Sequence, residues 1–384
     1  MIVDAHRNHG IQFAEDSFHT AYQRALQAMR GNFKHGFWVV LIGLTVGCGG
    51  SAPPAGTSPA GAAKPSDTAG SAKSDDFKIV IITNGSSPFW DACDRGLKDA
   101  GAKLGVRVEL LRNDASEGGQ IRRLEQLAAQ SDVKGVGISV LEADASGVAE
   151  QMLALRKKGV HVITVDSDGP AEARAAFVGT NNLEGGRELG RLAAQLRPEG
   201  GQAVAFVGLM GAQNARERVG GFKEGLGEKI ELIDTMEDQV NESKARNNVT
   251  TALANHPKLN ILAGIWSYNA PAITDVLQAN GRRKEFTTVA FDAEPNALVA
   301  MEQGLLDAMV VQNPYEMGFT GVTLLYHMIK EDKGAVDGLL KGETVYDTGL
   351  KVVVPDESSP LKSKYRVTLG DFRTWLTEKG LEGS

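Results

Sequence analysis

The chain has 384 residues, of which 42% are hydrophobic, so it is long enough for two domains that each bury a core. Its formal net charge of −7 argues against a nucleic-acid partner, since such a partner requires a basic face. The two cysteines, Cys48 and Cys93, are too few for a disulfide framework.

A secretory leader is predicted near the start of the chain. A basic segment precedes the apolar residues 37–46, and this apolar stretch is too short for a membrane span. Residues 45–48 resemble a bacterial lipobox, in which the signal peptidase cuts before Cys48 and a lipid is added to its thiol. The leucine usual in that motif is displaced to Leu44. The alternative is a plain signal peptide with a chance cysteine.

The predicted leader covers residues 1–48, with the lipoprotein signal peptide at 29–47. Because a secretory leader normally begins a chain, Met29 is an alternative start, and residues 1–28 receive no function. Residues 49–76 consist almost entirely of Gly, Ala, Ser, Pro and Thr. Such a composition cannot bury a core, so we expect a flexible tether there.

From Phe77 onward, strand-like and helix-like patterns alternate. "KIVIIT" is a continuous apolar run typical of a parallel strand buried on both faces, and Cys93 falls on the apolar face of the helical pattern after it. We therefore expect Cys93 to be a small buried residue. Further strand-like runs are "VRVELL", "VKGVGISV" and "VHVITVD", and the alternation restarts after "FVGTNN" with "QAVAFVGL", "KIELIDTM", "LNILAGIWS", "FTTVAFDA" and "LDAMVVQNP". The pattern predicts two tandem α/β units with parallel sheets.

Polar and aromatic side chains follow the predicted strands, where sheets of this kind bind their ligands. They are Ser87, Phe89, Trp90, Asp166, Asn181 and Asn182 in the first unit and Arg216, Arg218, Ser267, Tyr268, Asp292 and Gln312 in the second. This set contains no metal-ligand cluster, no Ser/His or Cys/His pair and no phosphate-binding glycine loop. We therefore expect neither a cofactor nor a metal.

These side chains suit a polyhydroxylated ligand. Each sugar hydroxyl both donates and accepts hydrogen bonds, and planar carboxylate, amide and guanidinium groups can bridge adjacent hydroxyls. The C–H faces of a sugar ring pack on aromatic planes. The adjacent rings of Phe89 and Trp90 are therefore predicted to form a stacking platform. Asp166 and Asp292 have an alternative role as helix caps, which is common for Asp.

The order of the motifs resembles the type I (ribose-type) periplasmic sugar-binding proteins of ABC transporters. "NGSSPFW" resembles the first-strand signature of that family and "HVITVDSD" its Asp turn, whereas "VGTNNLEGGRELG" resembles the first hinge crossing. "NARERVGGF" resembles the Arg loop, "VAFDAEP" the second Asp loop and "VVQNPYEMGFTGV" the returning hinge. The resemblance covers the chain from about Phe77 to Val354.

The resemblance implies two doubly wound parallel-sheet lobes joined by a hinge, with crossings near Thr180, Asn313 and Gly349. The N-terminal lobe would comprise residues 77–180 and 313–349, and the C-terminal lobe residues 181–312 and 350–384. Carried over to this sequence, the ligand contacts would be Ser87, Phe89, Trp90, Asp166, Asn182, Arg218, Asp292 and Gln312, with Ser267 and Tyr268 at a further contact position.

Three positions depart from the ribose-binding pattern. Ser87 and Ser267 each stand where ribose binders have Asn, and Ser167 stands where they have Arg. Losing these donors removes specific bridges to hydroxyls, so the resemblance extends to sugar recognition and not to ribose itself.

The resemblance implies a binding protein of the periplasm or cell envelope, which we expect to be a monomer, and the lipobox-like residues predict that it is lipid-anchored to a membrane. It would capture a sugar or related polyol between its lobes by hinge closure and deliver it to an ABC permease in the inner membrane. One alternative is a sugar or autoinducer receptor that feeds a membrane sensor. Another is a glycoside-processing enzyme with Asp166 and Asp292 as its acid/base pair.

Overall fold

The structure is a computed structural model that describes residues 75–384. The predicted leader, the lipidation of Cys48 and nearly all of the predicted tether lie outside these residues. The first strand begins at Asp75, which falls inside the predicted tether.

The first part of the described chain alternates strand and helix. Its elements are β1 (Asp75–Ile82), α1 (Phe89–Leu104), β2 (Val106–Leu111), α2 (Glu117–Ala128), β3 (Val133–Ile138), α3 (Ser146–Lys157), β4 (His161–Val165) and β5 (Phe177–Gly179). The alternation continues with α4 (Asn182–Leu196), β6 (Gly201–Val207), α5 (Gln213–Leu226), β7 (Ile230–Glu237), α6 (Glu242–Asn255), β8 (Leu259–Gly264), α7 (Asn269–Ala279), β9 (Thr287–Phe291), α8 (Pro295–Glu302) and β10 (Ala308–Val311).

The last part of the chain adds elements to both sheets. They are α9 (Pro314–Ile329), α10 (Lys333–Leu340), β11 (Val345–Asp347), β12 (Lys351–Val354), β13 (Arg366–Thr368) and α11 (Leu369–Lys379). The alternation read from the sequence did not indicate β11, β12 and β13, which are only three or four residues long.

Two sheets organise the molecule. The first has the order β11-β5-β4-β3-β1-β2 and the second the order β13-β12-β10-β9-β8-β6-β7. The first five strands of each lobe share one order, in which the second strand lies on one side of the first and the later strands follow on the other. This order places a topological switch point between β1 and β3 in the first lobe and between β6 and β8 in the second. The predicted fold class, two doubly wound α/β lobes, is confirmed.

One strand pairing departs from the parallel pattern, because β12 runs antiparallel to β10. Strand β12 follows β11 of the other sheet after a short crossing and therefore enters the second sheet at the edge where the other strands end. It can only run away from that edge. A parallel pairing would require a crossover long enough to return to the opposite edge.

The chain passes between the two sheets three times, at residues 180–181, 312–313 and 348–350. Asn181 caps α4 by accepting from the Glu184 amide at 3.1 Å, and Asn313 caps α9 by accepting from the Glu316 amide at 3.2 Å. The Asp347 carboxylate accepts from the amides of Asn181 and Gly349, at 3.3 and 2.9 Å. Two of the crossings are therefore held by one carboxylate, and two end in a capped helix.

The cores lie on both faces of each sheet. Alternate residues of β1 enter different clusters, Ile79 and Ile81 on one face and Val80 and Ile82 on the other, as expected for a strand covered on both sides. Cys93 is fully buried in the first of these clusters, which confirms its predicted packing role. Within residues 75–384, every helix is too short or too polar to cross a membrane.

Candidate functional site

The carboxyl ends of the two sheets face a common cleft with an empty volume of about 400 Å³. Residues of both lobes and of one crossing segment line it. They are Asn84, Gly85, Ser86, Ser87, Phe89, Trp90, Asp166, Asn214, Arg218, Val240, Trp266, Ser267, Tyr268, Asp292 and Gln312.

One wall of the cleft is the aromatic pair at the start of α1. The chain turns into this helix through the Trp90 amide, which donates to the Ser87 carbonyl at 3.1 Å. The rings of Phe89 and Trp90 meet edge to face, with centroids 5.1 Å apart and an interplanar angle of 85°. Both residues are buried, at 5% and 2% exposure, and both belong to a core cluster of the first lobe.

A second aromatic pair, Trp266 and Tyr268, follows β8 on the other lobe. Its rings also meet edge to face, with centroids 6.4 Å apart and an interplanar angle of 84°. The Tyr268 hydroxyl donates to Asp238 at 2.5 Å, and the Asn269 amide nitrogen donates to the same carboxylate at 2.8 Å. Burial raises the pKa of both Tyr268 and Asp238. Asp238 therefore fixes the orientation of this aromatic wall.

Asp166 and Asp292 occupy equivalent positions after β4 and β9. Each has a φ of 65°, in the left-handed region that is uncommon for residues other than glycine and clusters at functional sites. The backbone amide of each continues the sheet by donating to the neighbouring strand, to Val178 and Val310 respectively. Neither residue is a helix cap, since the N-cap of α8 is Glu294 and that of the short 3-10 helix after Asp166 is Pro170. The alternative capping role is therefore not observed.

The two carboxylates have different hydrogen-bond partners. Asp166 accepts from the Ser139 hydroxyl at 2.8 Å and from Asn214 of the second lobe at 3.4 Å. Asp292 accepts from the Gln312 side-chain amide at 3.0 Å. Burial raises the pKa of both carboxyls against the opposing charge of Arg218, and that of Asp292 rises to about 6.

Arg218 lies between the two carboxylates. Its Nη2 is 3.8 Å from Asp166 Oδ1 and its Nη1 is 4.0 Å from Asp292 Oδ2, which are ion-pair distances and too long for hydrogen bonds. Its guanidinium also stacks over the Phe291 ring at 4.5 Å from the centroid. Burial lowers the Arg218 pKa, but an arginine remains charged in proteins. The three groups together carry one net negative charge when both carboxyls are ionised.

Several buried polar atoms around the cleft have no hydrogen-bond partner within residues 75–384. Those on cleft-lining residues are Arg218 Nη2, Asn214 Oδ1, Gln312 Oε1 and Trp266 Nε1. Buried polar groups are nearly always paired, because an unpaired one costs about 1–3 kcal/mol. Donors and acceptors that converge on one small cleft therefore indicate a site for a polar ligand. In the same part of the chain, no group of His, Cys, Asp or Glu side chains is arranged to hold a metal ion.

The lobes touch each other around the cleft. Ser87 of the first lobe lies 3.5 Å from Ser267 of the second, measured between the two hydroxyl oxygens. At another edge the Ala143 amide donates to the Gly211 carbonyl at 3.0 Å, and Arg216 forms an ion pair with Asp144 at 2.8 Å. These contacts describe a closed arrangement of the lobes.

Of the ten ligand contacts predicted from the sequence, all except Asn182 line the cleft. Asn182 lies behind Arg218, where its side-chain oxygen accepts from Arg218 Nε at 2.9 Å. It was expected to be a ligand contact, and the structure instead places it as a support for the guanidinium. Arg216, which also follows β6, does not line the cleft and instead forms the inter-lobe ion pair with Asp144.

Sequence reasoning missed several cleft residues. Asn214 precedes Arg218 by one helical turn and so shares its face of α5, a spacing that could have identified it. Val240 follows β7, the one strand of the second unit whose end was not considered. Asp238 and Glu294 do not line the cleft but accept hydrogen bonds from Tyr268 and Ser267, which do, and spacing along the chain gives no signal for such indirect partners.

A family model described as periplasmic binding protein domain matches residues 78–333, which is well over half of the chain. The chain belongs to this family. Membership confirms the resemblance that the motifs indicated. It also indicates that the protein is located in the periplasm or cell envelope.

Characterised members resemble this periplasmic binding protein over most of its length. The ribose import binding protein of Salmonella typhimurium is 25% identical over 283 residues, which is 73% of this chain and 90% of that protein. The D-allose-binding periplasmic protein of Escherichia coli is 25% identical over 264 residues, 66% of this chain and 85% of that protein. An ABC transporter solute-binding protein from Burkholderia graminis, solved in complex with D-arabinose, is 27% identical with a TM-score of 0.69, covering 76% of this chain and 99% of that one.

Proposed function

We propose that this protein captures a sugar or related polyol between its lobes and delivers it to an ABC permease. The main support for this function is a set of polar atoms that lack hydrogen-bond partners within residues 75–384 and converge on a cleft with aromatic walls. They are Arg218 Nη2, Asn214 Oδ1 and Gln312 Oε1. Hydroxyls both donate and accept, so a sugar can satisfy this mixed set, and its ring can pack on the aromatic faces. The relatives, named for ribose and allose, support a monosaccharide.

The lining of the cleft favours a small polar ligand, because aromatic rings and a few charged and amide side chains converge on one narrow space. Ligand contacts are proposed for the cleft-lining residues predicted from the sequence. They are Ser87, Phe89, Trp90, Asp166, Arg218, Ser267, Tyr268, Asp292 and Gln312.

Hinge closure is the proposed mechanism of capture. Trp90 and Asp166 belong to the first lobe and Arg218 and Asp292 to the second, so one small ligand contacts all four only when the lobes are closed. A ligand shifts the equilibrium towards closure by this difference in contacts. The permease would then recognise the closed form. We also propose a monomer anchored to the membrane by a lipid on Cys48, as the lipobox-like residues suggest.

No catalytic step is part of the proposal. Asp166 and Asp292 flank the same guanidinium and accept from hydroxyl and amide donors, which suits them to hold hydroxyl groups. An acid/base pair for glycoside cleavage would instead require two carboxyls in different environments, one protonated and one ionised.

Calorimetric titration with D-ribose, D-allose and D-arabinose, backed by thermal shift, tests the function. At least one of these sugars should bind with micromolar affinity, a free energy of about −8 kcal/mol. Gln312→Met keeps the charge of the cleft but removes an amide, and should weaken binding at least about tenfold. Gln278→Met, at an exposed position of α7, is the matched control and should bind normally. A protein that binds none of these sugars, or a control as weak as Gln312→Met, would overturn the proposal.

A further inference from the structure

Glu294 is a buried carboxylate that neither the fold nor the ion pairs of the protein explain. It stands at the N-cap of α8, but its side chain makes no capping hydrogen bond. The residue is 6% exposed, and within residues 75–384 no Lys or Arg side chain forms an ion pair with it. Glutamate is almost never buried without a partner, because burying its charge is costly.

The hydrogen-bond partner of Glu294 is Ser267. The Ser267 hydroxyl donates to Glu294 Oε1 at 2.5 Å. A serine hydroxyl has a single proton and two lone pairs, so this bond uses the only proton that Ser267 possesses. Towards any other group, Ser267 Oγ can then act only as an acceptor.

Ser267 Oγ is available to accept hydrogen bonds from groups in the cleft. Ser267 lines it, and its Oγ is 3.5 Å from the Ser87 hydroxyl across the inter-lobe boundary. The adjacent Tyr268 is held in the same manner, since its hydroxyl proton goes to the buried Asp238. Two consecutive residues after β8 therefore give their protons to carboxylates outside the lining of the cleft.

We propose that Glu294 is a positioning residue for ligand specificity, which holds the proton of Ser267 so that Ser267 Oγ accepts a hydrogen bond from the ligand. The ligand must then carry a hydroxyl or another donor at the ring position facing Ser267. This inference rests on the proposed function and deepens it, because it assigns the direction of one hydrogen bond in the sugar site.

Burial sets the pH above which Glu294 is ionised and holds the proton of Ser267. It raises the pKa of Glu294 to about 7, against the Ser267 hydrogen bond that lowers it. The groups facing Glu294 from neighbouring elements, Asp292, Glu242 and Asp91, are all negative and raise it further. Above pH 7 the carboxylate is ionised and can only accept, so the direction of the Ser267 bond is fixed.

Monofluorinated sugars test the direction of the bond. Fluorine cannot donate, so each fluoro analogue of the sugar that binds among D-ribose, D-allose and D-arabinose removes one donor. At pH 8, calorimetry should show one ring position at which fluorination weakens binding to the wild-type protein about tenfold, the worth of one hydrogen bond. Glu294→Met keeps the side-chain length but removes the acceptor, which lets Ser267 turn its proton into the cleft. The penalty at that position should then fall below about threefold.

Two further variants complete the test. Glu302→Met removes an exposed carboxylate from the other end of α8 and should keep the full tenfold penalty. Ser267→Ala removes a single oxygen atom, a smaller change than Glu294→Met, and it should also abolish the penalty. A penalty that persists in Ser267→Ala or in a folded Glu294→Met would overturn the inference while sugar binding itself stands. Failure of the wild-type protein to bind any of the three sugars would instead refute the proposed function.

Discussion

The two lobes share one architecture but differ in how they carry charge. Each ends a strand with a left-handed aspartate, Asp166 or Asp292, and each offers an edge-to-face aromatic pair to the cleft. The first lobe supports its aspartate with neutral donors such as Ser139. The second lobe contributes Arg218 and two further buried carboxylates, Asp238 and Glu294. The equivalent backbones therefore place equivalent residues at the cleft, whereas the side chains give the second lobe most of the charged groups around it.

Because of this difference, the proposed closure of the two lobes involves an ion pair between them. Within residues 75–384, the only cation within ion-pair distance of Asp166 is Arg218, which lies on the other lobe. In the proposed opening of the lobes, Asp166 would lose this partner and regain water, whereas Arg218 would keep Asp292 on its own lobe. Closure would then depend on a charge pair that the open state lacks, and a ligand that bridges the pair would strengthen it.

The largest expected effect comes from removing the shared cation. Arg218→Met leaves Asp166 and Asp292 buried without a counter-charge, which should lower the free energy of unfolding by about 3–5 kcal/mol and abolish sugar binding. Arg216→Met, on the same helix, removes an exposed arginine and should cost no more than about 1 kcal/mol. Urea unfolding at pH 7.5 measures both. Equal losses for the two variants would show that Arg218 is not the charge on which the cleft depends.

Each lobe contains a glycine at which two helices approach each other closely. A Cβ at Gly221 on α5 would lie 2.2 Å from the Leu183 carbonyl oxygen of α4, and one at Gly96 on α1 would lie 1.9 Å from the Tyr315 carbonyl oxygen of α9. Backbone atoms cannot yield as a flexible side chain can, so each Gly→Ala substitution should destabilise the protein by about 3 kcal/mol.

The control for this prediction is the neighbouring glycine. A Cβ at Gly220 meets nothing within 4 Å, so Gly220→Ala should be neutral or stabilise the helix by up to about 1 kcal/mol. Thermal and urea unfolding compare the three variants. If Gly221→Ala is tolerated as well as Gly220→Ala, the close approach of α4 and α5 is not a constraint on the second lobe, and the two lobes differ in packing as well as in charge.

The fold could be predicted from the sequence because its signals are local. Apolar strand runs such as Ile79–Ile82 alternate with helical patterns, and the strand ends of both units carry the polar residues that meet in the cleft. The short strands β11, β12 and β13 could not be found this way, since three or four residues carry too little periodicity.

The site was predicted less completely than the fold, because some side chains contact the cleft-lining residues without lining the cleft themselves. Asn182 was expected to touch the ligand, but it lies behind Arg218 because it faces α5 and not the cleft. Glu294 and Ser267 are 27 positions apart and meet only through the sheet, so no local pattern links them. Sequence order indicates which strand ends converge, whereas tertiary packing decides which side chains line the cleft and which support them.

The smallest expected effect is a pH dependence of stability, which compares Asp292 with Asp166. Burial raises the Asp292 pKa from 3.8 to about 6 in the folded protein, so between these values the folded state binds a proton that the unfolded state has lost. Stability from this carboxyl is therefore present at low pH and lost as pH rises through 6. Asp292→Asn removes the effect and suits the left-handed backbone, since asparagine tolerates that region. The variant should gain about 2–3 kcal/mol on the wild-type protein between pH 4 and pH 7.

Unfolding in urea at several pH values measures this gain as a difference between the two proteins. Glu294 and Asp238, whose pKa values burial also raises, titrate in both proteins and largely cancel in the difference. Asp166→Asn is the comparison in the other lobe: burial raises that pKa too, so the gain should have the same sign. It should be smaller if the Ser139 hydroxyl and the Asn214 amide, which stabilise the ionised form, compensate for burial better than Gln312 does for Asp292. A difference that stays constant from pH 4 to pH 7 would mean that Asp292 is hydrated in the folded protein, and that the cleft is more open than its contacts indicate.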